Sequence, residues 1–331
     1  MKTFLAVALM LVSASAAQAW NGEGHEIVAY IAYQHLDPAT RAKVDALLAL
    51  NPCFNEWQTA AKAVPVAQRS AAIFMQAATW PDMIKRNKGT LSTQYDCQQD
   101  QTYVDDGTRG GDVAPTGPEA SQNIGYTDTA RHRYWHFVDT PFSTDGTPTN
   151  PSGTPNALTQ IVALSAALAS SESDDIKSYD LVWIEHLVGD VHQPLHDTSR
   201  FTKNNPNGDN GGNAVCFVVT NTPHCPAELH GYWDAILGAQ KLKNALKAGK
   251  QLNARAKPSG ADNADPGVWV DEGFKLAKSD VYIPPISDDE PGSSPVKPNK
   301  AYHDNAKKVA QAQILLAGYR LAGVLNTELA H

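Results

Sequence analysis

Histidine and aspartate stand one helical turn apart at two places in this chain, His186-x-x-x-Asp190 and His230-x-x-x-Asp234. On an α-helix, residues four apart share a face. Imidazole nitrogen and carboxylate oxygen are ordinary ligands of zinc. One such pair reads as easily as a hydrogen bond along a helix. Two pairs with further donors around them require a fold that gathers distant segments at one centre. The first pair lies in HLVGDVHQPLH, where Pro194 stops the helix and His196 turns back towards the same pocket. The second lies in LHGYWD. Upstream, Trp80-Pro81-Asp82 puts a carboxylate where proline kinks or ends a helix, and His136 sits in the aromatic segment from Tyr134 to Asp139.

Met1 to Ala19 carries Lys2, the apolar run FLAVALMLV and then Ala17-Gln18-Ala19. This is the layout of a secretory signal peptide with an A-x-A cleavage site. Cleavage between Ala19 and Trp20 would expose an α-amine, whose pKa of about 8 lets it yield its proton to a metal at little cost. The Trp20 nitrogen and carbonyl oxygen would chelate one ion, with His25 as a third donor. The roughly 310 remaining residues suit one large domain or two small ones. Donors spread from Trp20 to Asp234 favour one, and no internal repeat or clean boundary divides them. The expectation is a signal peptide over 1–19 and a single domain over 20–331. No second apolar run reaches the eighteen or so residues that span a bilayer. The mature protein is therefore expected to be secreted or periplasmic, with no transmembrane anchor.

Net charge is −8, and no dense Lys/Arg cluster stands out as it would in a duplex-binding protein. For a polyanionic substrate, bound Zn²⁺ would have to supply the positive charge. The cysteines are Cys53, Cys97, Cys216 and Cys225. An even count in an exported chain favours two disulfides, with three connectivities open. The short FVVT run and turn-like NTPH between Cys216 and Cys225 favour that local pair, which leaves Cys53–Cys97.

Helical patterning dominates, over 23–35, 39–50, 67–88 with a break at Pro81, 156–169, 179–191, 227–248 and 298–329. The best strand is 214–220, read as half of a hairpin. Long polar loops at 98–129, 143–155, 198–212 and 282–299 are expected to border a site. His35, His132, His224, His303 and His331 lack a donor partner at a clear spacing and read as surface or packing residues. His192 reads as an outer residue supporting the ligands. Glu185 and Asp197, beside ligands, read as outer or solvent-facing.

Taken together, Trp20 at a mature terminus, His25, WPD, WHFVD, HLVGDVHQPLH, GGN and LHGYWD resemble the S1/P1 nuclease family. Its members are zinc-dependent, single-strand-specific, sugar-nonspecific nucleases that also act as 3′-nucleotidases. The resemblance implies a mainly α, single-domain phospholipase C/P1 nuclease-like fold, with a short β-hairpin and a trinuclear zinc cleft. Carried over position by position, one Zn²⁺ would be held by Asp82, His136, His186 and Asp190. A second would be held by the Trp20 amine and carbonyl, His25 and a bridging Asp190. The third would be held by His196, His230 and Asp234. Asp190 would bring two ions to one water, Asp82 would orient or deprotonate that water, and Lys85 would face the phosphate. Phe137 would stack on a base, with Asp139 at the base edge and Asn213 lining the pocket. The implied partners are single-stranded DNA and RNA and 3′-nucleotides. No stable protein partner is expected, and the protein is expected to be a monomer.

Two departures touch the details. Ala235 follows the last ligand where some fungal members have a polar residue, and Asn210 precedes GGN where some relatives are apolar. A zinc-dependent phospholipase C has a similar layout and also begins with tryptophan. Its gap from that tryptophan to the first histidine is longer, and its last pair ends in Glu where this chain has Asp234. A secreted zinc scavenger would not need Asp82, Lys85 or the base pocket.

Overall fold

The computed structural model describes residues 20–85, 103–108, 112–217, 228–238, 241–286 and 297–330. The first helix, α1 (Gly22–Gln34), is buried from Glu23 to Tyr33, on every face. A helix with no solvent side has to lie at the centre of the fold. Four short helices follow: α2 (Pro38–Leu48), α3 (Phe54–Ala61), α4 (Arg69–Ala77) and α5 (Trp80–Ile84). Later in the chain come strand β1 (Thr140–Ser143) and helices α6 (Ala157–Leu168) and α7 (Asp174–Asp190). Strand β2 (Thr198–Phe201) and helices α8 (Leu229–Asp234), α9 (Leu242–Asn253), α10 (Pro266–Leu276) and α11 (Lys300–Glu328) complete the order.

Helix α7 is the second buried pillar. Ser173 caps it by accepting from Ile176 N, and Asp174 and Asp175 suit the positive end of its dipole. From Ser178 to Asp190 every residue is buried. Helices α4, α7, α9 and α11 all pack on α1. Gly249 of α9 lies so close to Tyr30 of α1 that a Cβ there would come within 2.6 Å of the ring.

The expected helices over 23–35, 39–50, 156–169 and 298–329 correspond to α1, α2, α6 and α11. Helix α7 begins five residues before the expected 179, because Asp174 to Lys177 are exposed or half-buried and carry no apolar period. The expected 67–88 element is a turn at Val66–Gln68 followed by α4 and α5, with Pro81 in the first turn of α5. The expected 227–248 helix divides into α8 and α9 around Gly238, whose φ of 133° no helix accepts. Helices α3 and α10 were not anticipated. The former buries only Trp57 and Ala61 of its eight residues, too few to set a period.

The sheet also differs from expectation. It is parallel, pairing Thr140 with Thr198 through Ser143 with Phe201. Each strand has four residues and no in–out alternation, so neither carries a period-2 signal. At the expected hairpin, Cys216 forms an antiparallel bridge with Glu228, and residues 218–227 between them lie outside the described residues. Neither Cys53 nor Cys216 is a free thiol. Their expected partners Cys97 and Cys225 lie outside the described residues, as do residues 1–19, His224 and His331. Among the described residues, no helix is long and apolar enough to cross a membrane.

Candidate metal centre

Six segments bring eight side chains together. Helix α1 supplies His25 and α5 supplies Asp82. His136 follows the turn Arg133–Trp135, and α7 supplies His186 and Asp190. The turn Pro194–Asp197 supplies His196, and α8 supplies His230 and Asp234. They form three buried groups: His25/His186/Asp190, Asp82/His136/His186 and His196/His230/Asp234. The first two share His186. Asp190 spans them, with Oδ1 3.3 Å from His25 Nε2 and Oδ2 3.0 Å from His136 Nδ1.

The backbone fixes which nitrogen faces inward. His186 Nδ1 lies 2.8 Å from the Ala78 carbonyl, His196 Nδ1 2.6 Å from that of His136, and His230 Nδ1 2.7 Å from that of Gly211. A carbonyl only accepts, so these Nδ1 atoms carry the protons and the Nε2 atoms turn lone pairs inward. His196 Nε2 and His230 Nε2 then face each other at 2.9 Å. His186 Nε2 stands 3.0 Å from His136 Nδ1. At His196 and His230 the facing lone pairs repel unless a cation lies between them. Burial, with nearby cations adding to it, holds His136 and His196 well below the usual imidazole range, so a proton is a poor cation here.

The carboxylates make the same point. Burial pushes Asp190 up to about 8 and Asp234 well above the ordinary carboxyl value. Both ring nitrogens of His25 and Oδ1 of Asp190 are buried without a hydrogen-bond partner among the described residues. Buried polar atoms left unsatisfied call for an explanation, of which a metal ion is one. Histidine nitrogen and aspartate oxygen are a donor set that zinc accepts. Asp82 behaves differently. Burial would raise it, but Lys85, with Nζ 2.6 Å away, and His186 outweigh burial and hold it well below the carboxyl range.

Gly189 makes the His25 position possible. A Cβ there would lie 2.7 Å from His25 Nδ1, so α7 needs glycine to admit the ring, which stacks on His186 at 3.9 Å. Trp20 is fully buried. The next residue, Asn21, donates its N–H to the Asp234 carbonyl at 3.0 Å, which ties the start of α1 to α8.

A cleft of about 590 Å³ opens beside these groups. Lys85, His136, His196 and His230 line it, and so do Phe137, Asp139 and Asn213. Asp139 has a left-handed backbone, φ 55°. Burial, and then the Asp209 and Asp112 carboxylates, raise its pKa well above the carboxyl range. A protonated carboxyl can donate as well as accept.

Several supporting residues escaped the sequence reading. Gln193 donates to Asp234 Oδ1 at 2.8 Å and accepts from Leu195 N at 2.7 Å. Its place between the donors of HLVGDVHQPLH was the available signal. Asp209 accepts from Arg200 N and from the Tyr282 hydroxyl, and so pins the loop whose Gly211 carbonyl orients His230. Arg133 donates to the Lys85 carbonyl at 2.9 Å and to Asp105 at 2.7 Å. His132 is buried and stacks on Trp135 at 3.7 Å, but the expectation that it lacks a donor partner is corrected: Asp128, four residues earlier, and Asp106 each lie 2.9 Å from its ring nitrogens. His192 was expected to support the ligands. Instead its Nδ1 faces the Val188 carbonyl at 2.7 Å and its Nε2 lies 3.0 Å from Arg320 of α11. Glu185 and Asp197 are fully buried rather than solvent-facing.

The S1/P1 nuclease family model matches residues 20–330. This chain belongs to the S1/P1 nuclease family. It is a nuclease, a hydrolase of phosphodiester bonds, in a metal-dependent family, and its mostly helical fold is that of the phospholipase C/P1 nuclease class. Among curated proteins it is similar to Endonuclease 5 of Arabidopsis thaliana, at 24% identity over 75% of this chain and 75% of that one. For an S1/P1 nuclease, a cleft bordered by buried imidazole and carboxylate groups is the natural place for phosphodiester chemistry.

Proposed function

We propose that the protein is a secreted or periplasmic, zinc-dependent endonuclease that acts as a monomer. It hydrolyses single-stranded DNA and RNA to 5′-phosphorylated products and removes phosphate from 3′-nucleotides. The observation that carries this reading is the facing imidazole lone pairs of His196 and His230 at a cleft that also holds an aromatic ring. In this reading a signal peptide over 1–19 is removed and 20–331 is one catalytic domain. Three Zn²⁺ are held by Asp82, His136, His186 and Asp190, by the Trp20 amine and carbonyl with His25 and Asp190, and by His196, His230 and Asp234.

Bound zinc supplies positive charge to the phosphate and lowers the pKa of water. The protein's own groups do the rest. Asp82, kept ionised by Lys85, accepts a hydrogen bond or a proton from the attacking water. Lys85, held by Asp82 and by the Arg133 contact to its carbonyl, directs its ammonium at a phosphate oxygen. Asp190 presents one oxygen to each of two donor groups and so fixes their spacing. Phe137 stacks on an unpaired base, with Asp139 and Asn213 at its edge. Stacking tolerates any base, and a stiff duplex cannot splay a nucleotide into such a cleft without unpairing it.

The test is release of acid-soluble nucleotides from single-stranded DNA by protein beginning at Trp20. Release should stop with a chelator and return with zinc. A fully zinc-loaded protein that releases none, and instead hydrolyses phosphatidylcholine, would overturn the proposal in favour of a phospholipase C.

A further inference from the structure

The segment 241–261 carries six cations and no acid, in a chain of net charge −8. In the sequence these cations are two to five residues apart and form no dense cluster. Helix α9 gathers them. Its buried face is Ala245, Leu246, Gly249 and Leu252, while Lys243, Lys247 and Lys250 are exposed at helical spacing on the other side. Lys241 is exposed at the N-cap, without a side-chain cap bond. Among the described residues none of these four lysines pairs with a carboxylate, whereas Lys257 pairs with Asp262.

This arrangement works against the helix. Like charges three or four apart repel. Lys241 and Lys243 at the amino end oppose the helix dipole, with no acid in the first turn to offset them, while Lys250 in the last turn suits it. The chain has 35 acidic residues and places none here. Like charges gathered on one exposed face, with no carboxylate among the described residues to offset them, point to a ligand that compensates them. A polyanion has the complementary charge.

The place of the stripe fits the same ligand. Asn21 Nδ2 donates to the Gly238 carbonyl at 2.6 Å, Gly249 lies against Tyr30, and His35 Nε2 is 2.7 Å from Asn253 Oδ1. Helix α9 therefore runs alongside α1 in the same direction, starting near the donor groups. Lys241 follows the donor Asp234 by seven residues. At 1.5 Å per residue, Lys243 to Lys250 spans about 10 Å, enough for about three phosphates of a strand.

We propose that the exposed face of α9 is a second contact surface for single-stranded nucleic acid, holding through its phosphates the part of the strand that runs beyond the cleft. This rests on the nuclease reading of the cleft. The test compares the zinc-loaded wild type with the triple variant Lys243→Gln, Lys247→Gln, Lys250→Gln. Substrates are a dinucleotide, which reaches only the cleft, and a single strand of about 30 nucleotides. The variant should raise KM for the long strand about tenfold at low salt and lower the slope of log affinity against log salt by about 2. Its kcat, and its kcat/KM on the dinucleotide, should not change. An unchanged KM and salt slope on the long strand would overturn the proposal. If the wild type hydrolyses neither substrate, the nuclease reading fails separately. Binding of a phosphorothioate strand, followed by fluorescence anisotropy, then decides. Loss of binding in the triple variant supports the surface. Equal binding, no binding by the wild type, or retention only on phosphatidylglycerol vesicles overturns it.

Discussion

The donors around Asp190 and the donors around His230 are set by different kinds of structure. His25, His186 and Asp190 stand on α1 and α7, two helices buried on nearly every side; packing leaves their rings and carboxylates little freedom, and of the three only His186 also faces a backbone carbonyl, that of Ala78. His196, His230 and Asp234 stand on a four-residue turn and a six-residue helix. Outer contacts hold each of these three: the His136 carbonyl, the Gly211 carbonyl and the Gln193 amide. One half of the centre is rigid because it belongs to the core. The other is rigid because each donor is tied separately to a neighbouring segment. The first half should therefore tolerate changes around it and fail only when a donor is lost, whereas the second should fail by degrees.

The largest effect is expected at the residue that joins the two helix-borne groups. Asp190→Ala should lower kcat by well over the roughly 100-fold that loss of an outer contact causes. It should also remove more than one bound ion, read by metal analysis of the purified protein. Adding a methionine before Trp20 should come next, displacing the chelating amine, with one ion lost and the His196/His230/Asp234 group still loaded. A protein with full activity and full metal content would break that assignment.

Gln193→Leu probes the tied half. Metal affinity at its group should fall by roughly 10–100-fold, seen in a chelator titration, while the helix-borne ions stay bound. Equal loss of all ions would mean that the two halves do not differ. Phe137→Ala should then raise KM for single strands with little change in kcat, by the roughly 1–3 kcal/mol that stacking one base contributes.

The smallest effect concerns the anchor before His136. Burial lowers His132, but hydrogen bonds to Asp106 and Asp128 outweigh it and raise its pKa above the ordinary imidazole value. That stability is fully present below the ordinary value and lost as pH rises through the raised one. The Tm gap between wild type and His132→Gln should therefore narrow with rising pH, and a gap independent of pH would remove the charged clamp.

The contrast between the halves also explains what could be read from the sequence. His186 and Asp190, or His230 and Asp234, are visible because a helix fixes their spacing within five letters. Gln193, Asp209 and Arg133 are not, because each acts on a partner from a different segment, and pairing across the fold leaves no local period. The parallel strands escaped for the same reason: Thr140 pairs with Thr198, 58 residues away in the chain. The lysines of α9 were in plain view, but counting charge along the chain dilutes a face that only the helix assembles.

The central position of α1 has a consequence for the order in which the molecule can be completed. The helix carrying His25 is the first of the described helices to leave the ribosome, yet it packs against α9 and α11, and α11 follows all the other described helices. Contacts that join the two ends of a chain form late and slowly. A chain halted before Lys300 would carry every donor named above and still lack the helix that closes over α1. Enclosure of the helix that carries His25 therefore waits for α11.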